Sequence, residues 1–129
     1  MKSYSERTGR EPDFRVSYRK LPTQQGLFQH IRSNVSWAGC SDQSQQWSIW
    51  PEFETSERVP LPDGTEAQEE GTATMWVLYD DTAYRADLRQ WIRIGQEGFF
   101  MAGPEKFAQF TIIELLGIEA AVQPACSAL

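Results

Sequence analysis

The chain has 129 residues, 40% hydrophobic and 12% aromatic, with a formal net charge of −6 and a pI near 4.8. That length gives one domain with a real core, and the composition excludes a disordered chain. The negative balance repels phosphate backbones at long range, so nucleic acid is an unfavourable partner unless basic side chains gather on one face.

Cys40 and Cys126 lie far apart and in no metal-ligand spacing, so no metal site is expected. Two such cysteines read as thiols of a reducing compartment, with a disulfide between them left open. The opening MKSYSERTGREPDF lacks an apolar h-region, and no run reaches the length of a membrane span. The expectation is a cytoplasmic protein.

In chain order, residues 1–12 read as a charged leader, 13–117 as a single β-barrel domain, and 118–129 as a coil tail. Phe14, Val16 and Tyr18 alternate with Arg15, Ser17 and Arg19, a half-buried strand ended by Leu21-Pro22. Val35 and Trp37 mark a second strand near 33–38. Trp47, Ile49 and Phe53 mark a third, where Pro51 suits an edge or a bulge rather than a central position. Residues 54–71 read as a long, weakly ordered acidic loop, with Pro62-Asp63-Gly64 as the tip of a short hairpin. Ala73, Met75, Val77 and Tyr79 alternate with Thr72, Thr74, Trp76 and Leu78 in the cleanest strand of the chain. Asp80 or Asp81 then caps one short helix that buries Tyr84 and Leu88.

Trp91, Ile92 and Ile94 lead to Gly95. Beyond it, Phe99 to Met101 and Phe107 to Leu116 form two β-runs around a Gly103-Pro104 turn. In the second run Phe107, Gln109, Thr111, Ile113 and Leu115 share one face, and Ala108, Phe110, Ile112, Glu114 and Leu116 the other. Both faces are largely apolar, so this strand is expected to be covered on both sides. The fold class is all-β: a small closed barrel of about six strands with one short helix.

From Phe14 to Gly117 the chain resembles the C-terminal β-barrel, the third domain, of elongation factor Tu. DFRVSYRKLPTQQG is similar to that domain's first strand and the glycine-containing loop after it, and RSNVSWAG to its second strand. Thr72 to Tyr79 falls at its fourth. IRIGQEGFFMAGPEKFAQFTIIELLG resembles its closing segment, which also ends Leu-Gly. The resemblance implies a six-stranded barrel that serves as a docking surface. It carries no GTPase chemistry, because no phosphate-binding Gly-x-x-x-x-Gly-Lys-Ser/Thr loop is present. The family's basic Gly-Gly-Arg-His/Lys-Thr-Pro loop, which contacts tRNA, is replaced by Gln24 to His30, and its Gly-Gly-Arg-Thr hairpin by Ala102 to Lys106.

Candidate chemistry is sparse. His30 with Cys40 and an orienting Asp42 would be a nucleophilic pair, but no local signature accompanies them. Asp80, Asp81 and Asp87 lack the ligand spacing of a calcium loop, and capping accounts for the first two. Glu52 and Glu54 share a strand face, a pattern commoner at a solvated edge than in an acid/base dyad. The tryptophans either fill the core or anchor a partner.

No catalytic residue and no cofactor are assigned. The leading expectation is a non-enzymatic protein-binding module. Between Glu52 and Glu70 there are seven carboxylates and one basic residue, Arg58. Glu52, Glu54, Glu57, Glu66, Glu69 and Glu70, with Trp50, are the candidate contacts for a protein partner with a basic surface. An RNA-binding barrel requires Arg15, Arg19, Lys20, Arg32 and Lys106 on one face. A ligand-binding or hydrolytic barrel requires a pocket holding His30 or two convergent carboxylates.

Overall fold

The computed structural model describes residues 11–22, 26–29, 33–40, 46–77 and 91–116. Its strands are β1 (Phe14–Lys20), β2 (Ser33–Trp37), β3 (Trp47–Glu54), β4 (Glu70–Val77), β5 (Glu97–Ala102) and β6 (Glu105–Leu115). All pairs are antiparallel, and the sheet closes into a barrel in the order β1-β4-β3-β2-β5-β6. β2, β3 and β4 form a meander, and β1 lies against β4, a Greek-key arrangement. The expected six-strand barrel is therefore present. The leader to residue 10, the expected helix with Tyr84 and Leu88, and the tail lie outside the described residues. Among the described residues there is no helix, and hence none long and apolar enough to cross a membrane.

Alternation sorts the side chains. Phe14, Val16 and Tyr18 of β1, Ala73, Met75 and Val77 of β4, and Phe110 and Ile112 of β6 are buried in one core. Its rings form a continuous column. Trp91 meets Trp47, Trp47 meets Trp37, and Trp37 meets Phe110 edge-on at 5.6 Å. Phe110 contacts Phe100, Phe100 contacts Phe53, and Phe53 meets the Tyr18 ring at 5.2 Å. Each such pair adds about 0.5–1.5 kcal/mol beyond its buried area. Trp37 and Trp47 thus take the core role, while Trp50 and Trp76 face each other on the outer wall.

β3 is a correction to the edge assignment: it pairs with both β2 and β4. Pro51 is tolerated there for a geometric reason. The Met75 carbonyl accepts from the Asp13 N–H at 2.8 Å, so Met75 turns its polar groups toward β1. Pro51, paired with Met75, therefore sits in a non-hydrogen-bonded pair with β4, and its nitrogen points the other way. On that side the described ladder with β2 has already ended at Ile49. Among the described residues no ladder bond is lost.

Two-sided cover of β6 is also corrected, because bulges break the simple alternation. One lies at Phe107, where Met101 pairs with Lys106 but Phe100 with Ala108. Another lies at Ile113, where Val16 pairs with Ile112 but Arg15 with Glu114. The first lets the adjacent Phe107 and Ala108 both be buried. The second leaves Ile113 37% exposed and carries Glu114 to the outer face, opposite Arg15. Gln109 and Thr111 are half-exposed, so β6 is covered on one side. The hairpin before it has Gly103 at φ 58° followed by Pro104, the pattern of a type II′ turn. The lead-in 91–95 is a turn rather than a strand, with Ile92 buried and Ile94 exposed.

Candidate functional site

The acidic stretch after β3 is pinned to the barrel, contrary to the weakly ordered loop expected from its composition. Thr55 caps its first turn: its hydroxyl accepts from the Glu57 and Val59 N–H groups, and its N–H donates to the Val59 carbonyl at 2.7 Å. Arg58 closes that turn at φ 63°. Pro62 to Thr65 is a β-turn with Gly64 at φ 73°, but its flanks do not pair with each other. Pro60 bridges to Glu54 and Glu66 to Phe28, so the turn exists without the hairpin. Leu61 and Ala67 are buried in the core and anchor the loop by apolar contact.

Gln29 fastens this region. It is 1% exposed, and its Oε1 accepts from the Phe53 N–H at 2.7 Å. Its Nε2 donates to the Phe53 carbonyl at 3.1 Å and to the Leu61 carbonyl at 3.0 Å. The amide thus bonds to β3 at Phe53, beyond the end of the described ladder with β2. The Gln29 N–H donates to Thr65 and the Ala67 N–H to Leu27, so the segment 27–29 clamps the far side of the loop.

The candidate contacts divide into two groups. Glu52 and Glu54 are buried, at 3% and 4% exposure, on the outer wall. Glu54 accepts a two-pronged bond from the Arg15 Nε and Nη2 at 3.1 and 3.2 Å, and a bond from the Thr72 hydroxyl at 2.8 Å. Arg15 also pairs with Glu114, which Arg58 approaches at 3.5 Å. The Glu54 hydrogen bond, ahead of the other contacts, raises the Arg15 pKa above its ordinary value against the opposing effect of burial. Glu54 is committed to this network. Trp50 is half-buried beside Trp76.

The second group faces water. Glu57, Glu66, Glu69 and Glu70 are exposed. Lys20 Nζ pairs with Glu66 at 3.1 Å. Among the described residues Glu57, Glu69 and Glu70 have no ion-pair partner.

The cations do not assemble into a basic face among the described residues. Arg15 and Lys20 are held by carboxylates, and Lys106 lies 4.2 Å over the Phe99 ring. Arg19 is exposed opposite Glu70, and Arg32 lies outside the described residues. So do His30, Asp42, Asp80, Asp81, Asp87 and Cys126. Cys40 is half-buried against the core. No group of three or more His, Cys, Asp or Glu side chains converges among the described residues.

Two concavities mark the surface. A polar groove of about 390 Å³ crosses β4, β1 and β6 between Ser17, Arg19, Glu70, Gln109 and Thr111. A second of about 320 Å³, lined by Leu27, Phe28, Asn34, Met101 and Phe107 among others, lies by the β5–β6 turn. Glu70 is the only carboxylate among the described lining of either. Sequence reasoning missed Gln29, the pairing of Arg15 with Glu54, and Asp13, whose carboxylate accepts from the Val77 N–H at 2.7 Å. Their partners are distant in the chain and carry no local pattern.

No protein-family model matches the chain, and no curated protein does either. The closed Greek-key barrel places the molecule in an architectural class, with an acidic loop fixed over one wall as its distinguishing feature.

Proposed function

We propose that this protein is a non-enzymatic protein-binding module on a barrel like the third domain of elongation factor Tu. It works in the cytoplasm and docks a partner with a basic surface. One observation carries the reading. The loop is fastened by backbone bonds, by Gln29 and by Leu61 and Ala67, while Glu57, Glu69 and Glu70 point into water. Like charges on one fastened stretch repel one another, so stability alone does not favour the display. A partner that meets them in a fixed arrangement avoids most of the cost of ordering them.

The test begins with a partner captured by affinity from native lysate at low salt and released at high salt. Exchange of Glu57, Glu69 and Glu70 for glutamine should leave Tm nearly unchanged, since exposed charges add little stability. The same exchange should slow association and flatten its salt dependence, with a smaller effect on dissociation. A triple variant that associates at the wild-type rate at low salt refutes the proposal. Tight tRNA binding at physiological salt would replace it with the RNA-binding reading.

A further inference from the structure

The groove of about 390 Å³ on the outer face of β4, β1 and β6 holds one cation and one anion in its lining, Arg19 and Glu70. Register explains its shape. Gly71, Tyr18 and Phe110 form one row across the three strands, and the rings of Tyr18 and Phe110 are turned into the core. On the outside this row offers only backbone, so it is the floor. Arg19 with Glu70 and Gln109 stands along one side, and Ser17 with Thr111 along the other. Outward rows on a strand are two residues apart, about 7 Å, which leaves room for one unbranched chain of atoms lying across the strands.

The Lys20 N–H donates to the Glu69 carbonyl at 2.8 Å, so the next pair along, Arg19 and Glu70, is a non-hydrogen-bonded one. Their Cα atoms are then about 4.5 Å apart, the closer spacing of an antiparallel ladder. Opposite charges so placed attract each other across the strands. Yet both side chains are exposed, and among the described residues neither has an ion-pair partner. The neighbouring cations are taken, Arg15 by Glu54 and Glu114 and Lys20 by Glu66. A simple cation at this place is drawn by Glu70 and repelled by Arg19, and a simple anion the reverse. A molecule that carries both charges gains from each. Because the two side chains do not meet, their charged ends stand farther apart than those of a single α-amino acid, whereas an extended dipeptide spans about 6–7 Å. We infer that the groove binds a free zwitterion of dipeptide size, its carboxylate on Arg19 and its ammonium on Glu70. The Gln109 amide and the hydroxyls of Ser17 and Thr111 offer donors and acceptors to the amide between the termini. Such a site is separate from the docking function and does not depend on it.

The probe is glycylglycine, titrated at low salt while amide shifts of the isotope-labelled protein are followed. Exposed ion pairs each contribute little, so Kd should be of millimolar order. The shifts should saturate and centre on Arg19, Glu70, Gly71, Gln109 and Thr111. Acetylating the probe removes its ammonium, and amidating it removes its carboxylate. Each change should weaken binding about threefold or more, a comparison that needs no variant to fold. Two variants then fix the orientation. In Arg19→Gln, amidation should make no further difference while acetylation still does, and Glu70→Gln should show the reverse. No saturable shift at about 100 mM probe overturns the site. So does equal affinity for the zwitterion and its singly charged forms, or a variant that still responds to loss of its matching terminus. The docking function is judged separately, by the association rate of the captured partner.

Discussion

Gln29→Ala is the sharpest test of how the acidic loop is held. The substitution removes three side-chain bonds, to the Phe53 N–H and to the Phe53 and Leu61 carbonyls. The Phe53 N–H loses its acceptor, and a buried unsatisfied donor costs about 1–3 kcal/mol. The Phe53 carbonyl keeps the Leu61 N–H at 2.9 Å, so the two carbonyls together add about 1 kcal/mol. The space left by a fully buried side chain adds about another 1 kcal/mol. A total of about 3–5 kcal/mol is a large part of the ~5–15 kcal/mol that holds a typical domain. With an m value of about 1.5–2 kcal/mol/M, the urea midpoint should fall by about 1.5–3 M. Fluorescence of the buried Trp37 and Trp47 reports the transition. Gln29→Met keeps the volume and should recover only the cavity part. Gln46→Ala, which removes an exposed bond to the Gly103 carbonyl, should cost under about 0.5 kcal/mol. A loss below about 1 kcal/mol for Gln29→Ala would refute the idea that this amide fastens the loop to β3.

Three further outcomes are expected. Arg15→Met should destabilise by about 2–4 kcal/mol by stranding Glu54, and adding Glu54→Gln should restore most of the loss in a double-mutant cycle followed by urea unfolding. Burial, against a weaker pull from the Gln68 backbone, pushes the Tyr18 hydroxyl up to about 12, from 10.0 unfolded. The folded state therefore keeps this proton while the unfolded state releases it, so stability present below pH 10 drains away between pH 10 and about 12. Tyr18→Phe should abolish that contribution in pH-dependent melts, and should cost little at pH 7 because no described group, the nearby Gln68 backbone included, meets the hydroxyl in good hydrogen-bonding geometry. Gly98→Ala should cost about 2–3 kcal/mol in thermal melts, since its Cβ would sit 2.8 Å from the Ser36 carbonyl oxygen and 2.5 Å from the Phe110 ring.

The inward rows were legible because alternation over Phe14 to Tyr18 and Thr72 to Val77 is a period-2 signal that needs no tertiary knowledge. Pro51 misled because its meaning depends on how far β2 extends beside it, and β2 is chosen by Val35 and Trp37 elsewhere in the chain. In β6, alternation was read straight through residues where bulges shift it, and nothing in the local pattern of Ile112-Ile113-Glu114 announces a bulge. The acidic stretch was legible as charge and not as order. Its order comes from Gln29, Leu27 and Phe28, which a loop of Gly, Pro and Glu does not reveal. Glu54 looked like its neighbours in the same run, and only the Arg15 guanidinium, reaching diagonally across β4 from the Thr74–Glu52 row, sets it apart.

The placement of β1 has a consequence for synthesis. Of the six barrel strands it is the first to be synthesised, yet both of its neighbours, β4 and β6, come much later. Phe14 waits for Met75 and then for Leu115 before both sides of its backbone are paired. The chain must be made through Leu115 before the seam can close, and such distant pairings are slow to form. During that interval β1 exposes a row of unpaired amides and the apolar set Phe14, Val16 and Tyr18. Nascent chains stalled short of β6 should therefore be the species that aggregate or recruit chaperones. Arg15, Arg19 and Lys20 lie along that strand, and their charge keeps it apart from other copies until β6 arrives.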